Sequence, residues 1–257
     1  MNDSKTNNNS SRFADSSATG IKLAIVCPMA NESSTAENFV TSVLQRCRNF
    51  ESVKFFAVLD NSSTDGTFDL LKNLQHRLPQ LQPLWAPENK CVVDAYVRGY
   101  REALDAGCDW ILEIDAGFSH QPSQIGRFFE KMAQGYDCVF GCRFCEGGKF
   151  TDAPLSRRII SQWGSVLTNL LLGTKLKDMT SGFEMFTNTA LQQVLDKTIR
   201  SKGHFFQTEI KVYCRNMRIA EVPIHYRSPS QNVNTAVMMD AFSNLFRLFK
   251  ERIAGKL

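Results

Sequence analysis

No stretch of this 257-residue sequence approaches the roughly 20 consecutive apolar residues that a helix needs to cross a bilayer, so the chain is not expected to span a membrane by itself. The first 20 residues are Asn- and Ser-rich and hold no apolar stretch, which predicts a disordered polar tail over 1–20 and no secretory signal. Charge of one sign is also scarce. A net +4 from 30 basic and 26 acidic residues gives no reason to expect nucleic acid as a partner. Cys142 and Cys145 stand at CxxC spacing, but no second such pair and no His partner at zinc spacing completes a metal pattern. Cys138, Cys142 and Cys145 therefore read as structural thiols, and a reduced, cytoplasmic setting is expected. Walker GxxxxGK[ST] is missing, as is GxGxxG after the first strand, so P-loop and dinucleotide-binding readings lose support.

What is present is a chain of 43% hydrophobic residues in which strands and helices alternate. Apolar runs over 21–28, 53–59, 81–85 and 109–114 read as strands. Helical periodicity separates them, most clearly over 92–106, which Gly107 closes. This alternation predicts an α/β fold: a single domain over 21–236 with an open, mostly parallel, doubly wound sheet and helices on both faces. Residues 237–257 carry a basic amphipathic helical pattern. Packing back on the domain and resting on lipid both suit it.

Ligands of open α/β sheets bind beyond the carboxyl ends of the strands. Glu32, Asp60 and Asp115 follow the first, second and fourth strands and so fall on that edge. Three carboxylates there suit a sugar, a ribose, a base or a cation, whereas a bare phosphate would need positive charge. Asp65 reads as a helix cap, His120 as a brace of its loop, and Trp85, Trp110 and Trp163 as core or interface residues.

The ordered motifs from about residue 21 to 227 resemble family 2 glycosyltransferases, in particular the dolichol- or polyprenol-phosphate mannosyltransferase branch. Pro28-Met29-Ala30-Asn31-Glu32 is similar to PxxNE, Asp60 to Thr67 to DDxSxDGT, and Asp115 to Pro122 to DADxxHxP. Gly141-Cys142-Arg143, Arg157 to Ser161, Thr180 to Phe183, Phe206 to Glu209 and Glu221 to Ile224 continue the series. The resemblance implies a GT-A fold, a nucleoside diphosphate sugar as donor, most simply GDP-mannose, and inverting transfer of the hexose to a polyprenyl or dolichyl phosphate. It implies that Pro28, Glu32 and Asp60 hold base and ribose. Asp115 would meet the diphosphate through a divalent cation, Mg²⁺ or Mn²⁺. Arg143, Arg157 and Ser161 would grip the acceptor phosphate, with Gln207 and Glu209 on the acceptor side. Asp115, Arg143 and Arg157 are thus the expected catalytic residues.

The sequence departs from the pattern at Asn61, at Gly117, where the second Asp of DxD belongs, and over Tyr226 to Asn232. Two other readings remain open at this level. One is a soluble family 2 enzyme using a donor such as UDP-glucose and a hydroxyl acceptor, which needs a base such as Glu209 or Asp178. The other is a member that binds nucleotide sugar without turning it over. With no spanning segment, action at the cytoplasmic face would be peripheral, through the C-terminal helix, the basic 143–158 region or a membrane subunit.

Overall fold

A computed structural model describes residues 20–227 and 235–257; the expected tail over 1–19 and the departure over 228–232 lie outside the described residues. Strands β1 (Lys22–Pro28), β2 (Ser52–Leu59), β3 (Leu81–Trp85), β4 (Trp110–Glu113), β5 (Cys138–Cys142), β7 (Glu184–Thr187) and β8 (Ile219–Pro223) form one sheet in the order β3-β2-β1-β4-β7-β5-β8. All neighbours are parallel except β7, which runs antiparallel to both β4 and β5. Strands β6 (Lys149–Thr151) and β9 (His225–Arg227) pair separately, and His120 bridges to Tyr226 beside them.

Side chains alternate across a strand, and β1 uses both faces. Leu23, Ile25 and Cys27 pack with helices α1 (Ala36–Arg46), α2 (Thr67–Gln75) and α4 (Ile125–Met132). Ala24 and Val26 pack with α3 (Val92–Asp105), α6 (Asn188–Leu195), α7 (Phe205–Tyr213) and α8 (Thr235–Ile253). Helix α3 lies tight on the sheet because Gly99 has no Cβ to strike Val26. Its first turn is closed by Asp94, whose carboxylate accepts from the N–H groups of Lys90 and Cys91 at 2.8 and 3.2 Å.

Helix α5 (Leu155–Leu172) behaves differently. Its sequence is strongly apolar, yet its buried residues are Ser165, Thr168 and Leu172. Leu155, Trp163, Val166 and Leu170 are exposed, Trp163 to 68%, so that tryptophan is no core residue. Ser165 can face inward because its hydroxyl is spent locally: it donates to Ser161 O at 3.0 Å and accepts from Met179 N at 3.0 Å. Helix α8 packs on α5 and α7 through Leu245 and Leu248 while Phe242, Phe246 and Ile253 stay exposed, so the C-terminal pattern is both packed and outward-facing.

Candidate active site

The carboxyl ends of β1 and β4 open onto one cavity of about 800 Å³. Pro28, Glu32, Asp115, Arg143, Arg157, Ser161 and Gln207 all line it. Asp60 and Glu209 do not. Asp60 ends the neighbouring strand and accepts from the Ser62 N–H and hydroxyl at 2.9 and 2.6 Å. Its loop is tied to the one after β1 by Asn31, which donates to Ser62 O and accepts from Thr64 N. Asp65 accepts from Ser33 N and Thr67 N, and these bonds with the Thr67 hydroxyl hold it well below the usual carboxylate range.

Glu209 is fully buried, which corrects its expected place on the acceptor side. It accepts from Ser201 at 2.5 Å, Tyr213 at 2.8 Å and Arg247 at 2.5 Å, and so fastens α8 to α7. Burial alone would raise its pKa; the hydrogen bonds from Ser201 and Tyr213 and the Arg247 charge outweigh this and hold it ionised.

Asp115 presents a carboxylate that is 35% exposed. The Tyr96 hydroxyl, from α3, donates to Oδ1. On the other side the His120 ring accepts the Asp115 backbone N–H at Nδ1, 3.2 Å away, so that nitrogen carries no proton. The 3.5 Å approach of Nδ1 to Asp115 Oδ2 is therefore not an ion pair. Burial against Phe183 and Tyr226 depresses His120 to about 4, which keeps it neutral. His120 is a brace.

Gly117 adopts φ +70°, and a Cβ there would meet Glu32 Oε1 at 2.9 Å. The Glu32 carboxylate thus lies where a side chain at 117 would begin. The Thr35 hydroxyl donates to its other oxygen, Oε2. Beneath this end of the cavity runs a buried polar layer. Glu113 accepts from Tyr100 and Gln207, and Glu184, opposite it across β4 and β7, accepts from the fully buried Lys211. Burial and the neighbouring Glu184 push Glu113 up, against the opposing pull of Gln207 and Lys211. Gln207 therefore spends its Nε2 on Glu113, and its Oε1 is buried without a partner.

Arg143 is 7% exposed and forms a fork with Asp178: Nε donates to Oδ2 and Nη2 to Oδ1, both at 2.7 Å, and Nη2 also reaches Thr180 Oγ1. The rings of Phe144, Phe150 and Tyr226 lie 4.7–5.6 Å from the cation. Three of the five guanidinium N–H groups are thus committed to protein, and at most two can serve a ligand. Burial raises the Asp178 carboxyl, but Arg143's charge and hydrogen bonds overcome this and hold it below the usual range.

Tyr96 and Thr35 were not legible as site residues, and Thr180 stood in a motif with no role of its own. A phenol within an amphipathic helix and a threonine at a helix start give no sequence signal. The apolar lining comes from Ile160, Trp163 and Leu167 of α5 facing Met238, Phe242 and Leu245 of α8.

A sugar-nucleotide site on an open sheet is the class these features define. The Glycosyl transferase family 2 model matches residues 24–195, and the chain belongs to that family of glycosyltransferases. It is 34% identical over 171 residues to the undecaprenyl-phosphate mannosyltransferase of Micrococcus luteus, covering 66% of this chain and 70% of that one. It is 25% identical over 239 residues to the polyprenol monophosphomannose synthase of Mycolicibacterium smegmatis, covering 92% and 89%. In fold it matches glucosyl-3-phosphoglycerate synthase from Mycobacterium tuberculosis in complex with UDP, with a TM-score of 0.65 at 15% identity over 90% of this chain and 81% of that one. The same enzyme with Mn²⁺, UDP and phosphoglyceric acid gives a TM-score of 0.63 at 15% identity over 91% and 78%.

Proposed function

We propose that this chain transfers a hexosyl group, mannose from GDP-mannose, to a polyprenyl phosphate with inversion at the anomeric carbon. A phosphate oxygen of the acceptor forms the new bond to C1 as the bond from C1 to the nucleoside diphosphate breaks, and the diphosphate leaves with the electron pair. The observation that carries this reading is the continuity of one cavity. Carboxylates stand at one end, Arg143, Arg157 and Ser161 in the wall, and an apolar groove between α5 and α8 opens beside them. Nucleotide sugar, acceptor phosphate and prenyl chain each find matching chemistry there.

Pro28, Glu32 and Asp60 are the proposed contacts to base and ribose. A divalent cation suits the donor end, since Asp115 and the Ser119 hydroxyl line it and hard oxygen ligands are what Mg²⁺ and Mn²⁺ take. Among the described residues no three His, Cys, Asp or Glu side chains converge, so the diphosphate itself would complete the shell. Such a cation neutralises charge on the departing diphosphate.

The acceptor side favours a phosphate over a hydroxyl. A phosphate is already ionised near neutral pH, whereas a hydroxyl needs a base. Asp178 and Glu209, the candidate bases, are both buried, hydrogen-bonded and held ionised by arginines, and neither lines the cavity. No described helix is long and apolar enough to cross a membrane. The exposed apolar faces of α5 and α8, with Arg158, Lys250 and Arg252 on the same helices, are the proposed contact with the cytoplasmic leaflet.

The test is a donor panel (GDP-mannose, GDP-glucose, UDP-glucose) with a short polyprenyl phosphate and the full chain. Mannosyl polyprenyl phosphate is the expected product, and lack of nucleotide release with any lipid phosphate would sink the proposal.

A further inference from the structure

The brace that His120 gives to its loop uses one ring nitrogen and leaves the other over. Nδ1 accepts the Asp115 backbone N–H at 3.2 Å, so the ring's proton sits on Nε2. That Nε2 is buried and has no hydrogen-bond partner, in a residue only 1% exposed. Buried N–H groups are nearly always paired, and an unpaired one in a cavity wall marks a place for a ligand oxygen. His120 lines the cavity together with Asp115 and Arg143.

The ring is not free to find an acceptor within the protein. Turning it over would forfeit the bond at Nδ1. It stacks on Phe183 with centroids 4.9 Å apart and planes at 27°, and it also lies 4.9 Å from the Tyr226 ring. A backbone bridge ties His120 to Tyr226 as well. The same tyrosine seats the Arg143 guanidinium, 5.6 Å from its centroid. Imidazole and guanidinium are thus gathered around one ring. Arg143 has at most two N–H groups to spare, because Asp178 and Thr180 take the other three. A phosphate monoester carries three terminal oxygens, each able to accept more than one hydrogen bond, so Arg143 leaves part of that capacity unfilled.

We propose that the His120 Nε2–H donates a hydrogen bond to a terminal oxygen of the acceptor phosphate, beside Arg143. This rests on the lipid-phosphate reading of the acceptor. His120 then joins the two ends of the reaction through one rigid ring. Nδ1 fixes the backbone of Asp115 at the sugar-nucleotide end, and Nε2 holds the incoming phosphate.

Two substitutions separate the two nitrogens. In His120→Asn the shorter side chain can keep an amide oxygen near the place of Nδ1 and carries nothing at the place of Nε2. In His120→Gln the longer side chain brings an N–H to the place of Nε2 and gives up the acceptor at Nδ1. Initial rates are measured on the full chain with GDP-mannose and a short polyprenyl phosphate. His120→Asn is expected to raise the KM for the lipid phosphate about tenfold or more, with the KM for GDP-mannose within about twofold of wild type. His120→Gln is expected to recover most of that loss.

The reverse order, with His120→Asn close to wild type and His120→Gln impaired, would leave only the brace and overturn the proposal. A rise confined to the KM for GDP-mannose would assign the N–H to the sugar nucleotide and overturn it too. Should neither variant fold, wild type alone decides. The chain has four histidines, so a proton–nitrogen correlation spectrum of histidine-labelled protein is simple enough to resolve each ring. The His120 Nε2–H signal, identified by its proximity to Phe183 and Tyr226, should move when the polyprenyl phosphate is added to the chain with GDP. A signal that stays in place refutes the contact. Wild type that transfers mannose to no polyprenyl phosphate overturns the acceptor reading and this inference with it. Normal transfer with an unchanged lipid KM in His120→Asn refutes this inference alone.

Discussion

Replacing Asp178 by Asn removes the anion from a pair that is almost wholly out of water. Arg143 would keep its charge among three aromatic rings, with Thr180 and the amide oxygen as its remaining acceptors. Breaking a buried pair from one side costs about 3–5 kcal/mol. The faces of Phe144, Phe150 and Tyr226 offset part of this, at about 0.5–2 kcal/mol for such contacts, so the lower end, about 3 kcal/mol, is expected. For a chain of this size that lowers Tm by about 6–12 °C. A thermal melt followed by circular dichroism reads the shift directly.

The pH dependence provides a separate check. The folded carboxyl of Asp178 is depressed, so its contribution is complete above the unfolded value of about 4 and is lost only as pH falls through the lower folded value. The gap between wild type and Asp178→Asn should therefore be flat from about pH 5 to 8 and close only in stronger acid. Activity gives a third reading. Without Asp178 the guanidinium loses its orientation, and the KM for polyprenyl phosphate should rise more than kcat falls. A melt within about 2 °C of wild type at neutral pH would refute the ion-pair reasoning.

Other outcomes follow from the same geometry. His120 has a folded pKa near 4 against 6.5 when unfolded, so the unfolded chain binds the extra proton and stability is lost as pH falls between them, by about 3 kcal/mol in all. Urea midpoints from pH 7 to 4 should show this slope, and His120→Asn should flatten it; an unchanged slope in the variant speaks against the buried neutral ring. Tyr96→Phe leaves Asp115 Oδ1 without its phenol donor and should lower kcat/KM about tenfold or more; a hydrogen bond to a charged group contributes about 1.5–3 kcal/mol to stability, so Tm should fall by about 3–12 °C as well. Equal kcat/KM in the two proteins would show that Asp115 needs no such support. Trp163→Ser with Leu170→Ser removes exposed apolar surface from α5 at about 1.5–3 kcal/mol per large side chain transferred. Sedimentation with vesicles containing anionic lipid should show at least about a tenfold loss of binding, and unchanged partition would move the membrane contact elsewhere.

Much of the fold was legible because it rests on local pattern. The strand at 81–85 matches the structure residue for residue, and the alternation through 114 gives the parallel half of the sheet. The antiparallel β7 was not legible, since strand direction in the second half depends on which elements find each other across long separations. Helix α5 misleads for a related reason: its apolar residues follow no single face, and only the packing reveals that Ser165 and Thr168 point inward. At the site, motif positions identified most of the cavity wall, but motifs do not say what a side chain touches. The commitment of Arg143 to Asp178 and the withdrawal of Glu209 into the α7–α8 contact are properties of three-dimensional neighbours, as is the hydroxyl that Tyr96 turns toward Asp115.

Helix α8 also bears on how the protein is made. Among the described elements it leaves the ribosome last, after the sheet and the carboxylate end of the cavity can already have formed. Its late arrival is secured twice, by Arg247 on Glu209 and by Arg252, which donates to the Leu170 and Leu171 carbonyls where α5 stops at Gly173. Until those contacts close, the apolar groove lacks one wall. A nascent chain stalled before residue 245 would thus hold the carboxylate end of the cavity and only one side of the apolar groove, so the groove closes after the sheet edge has formed.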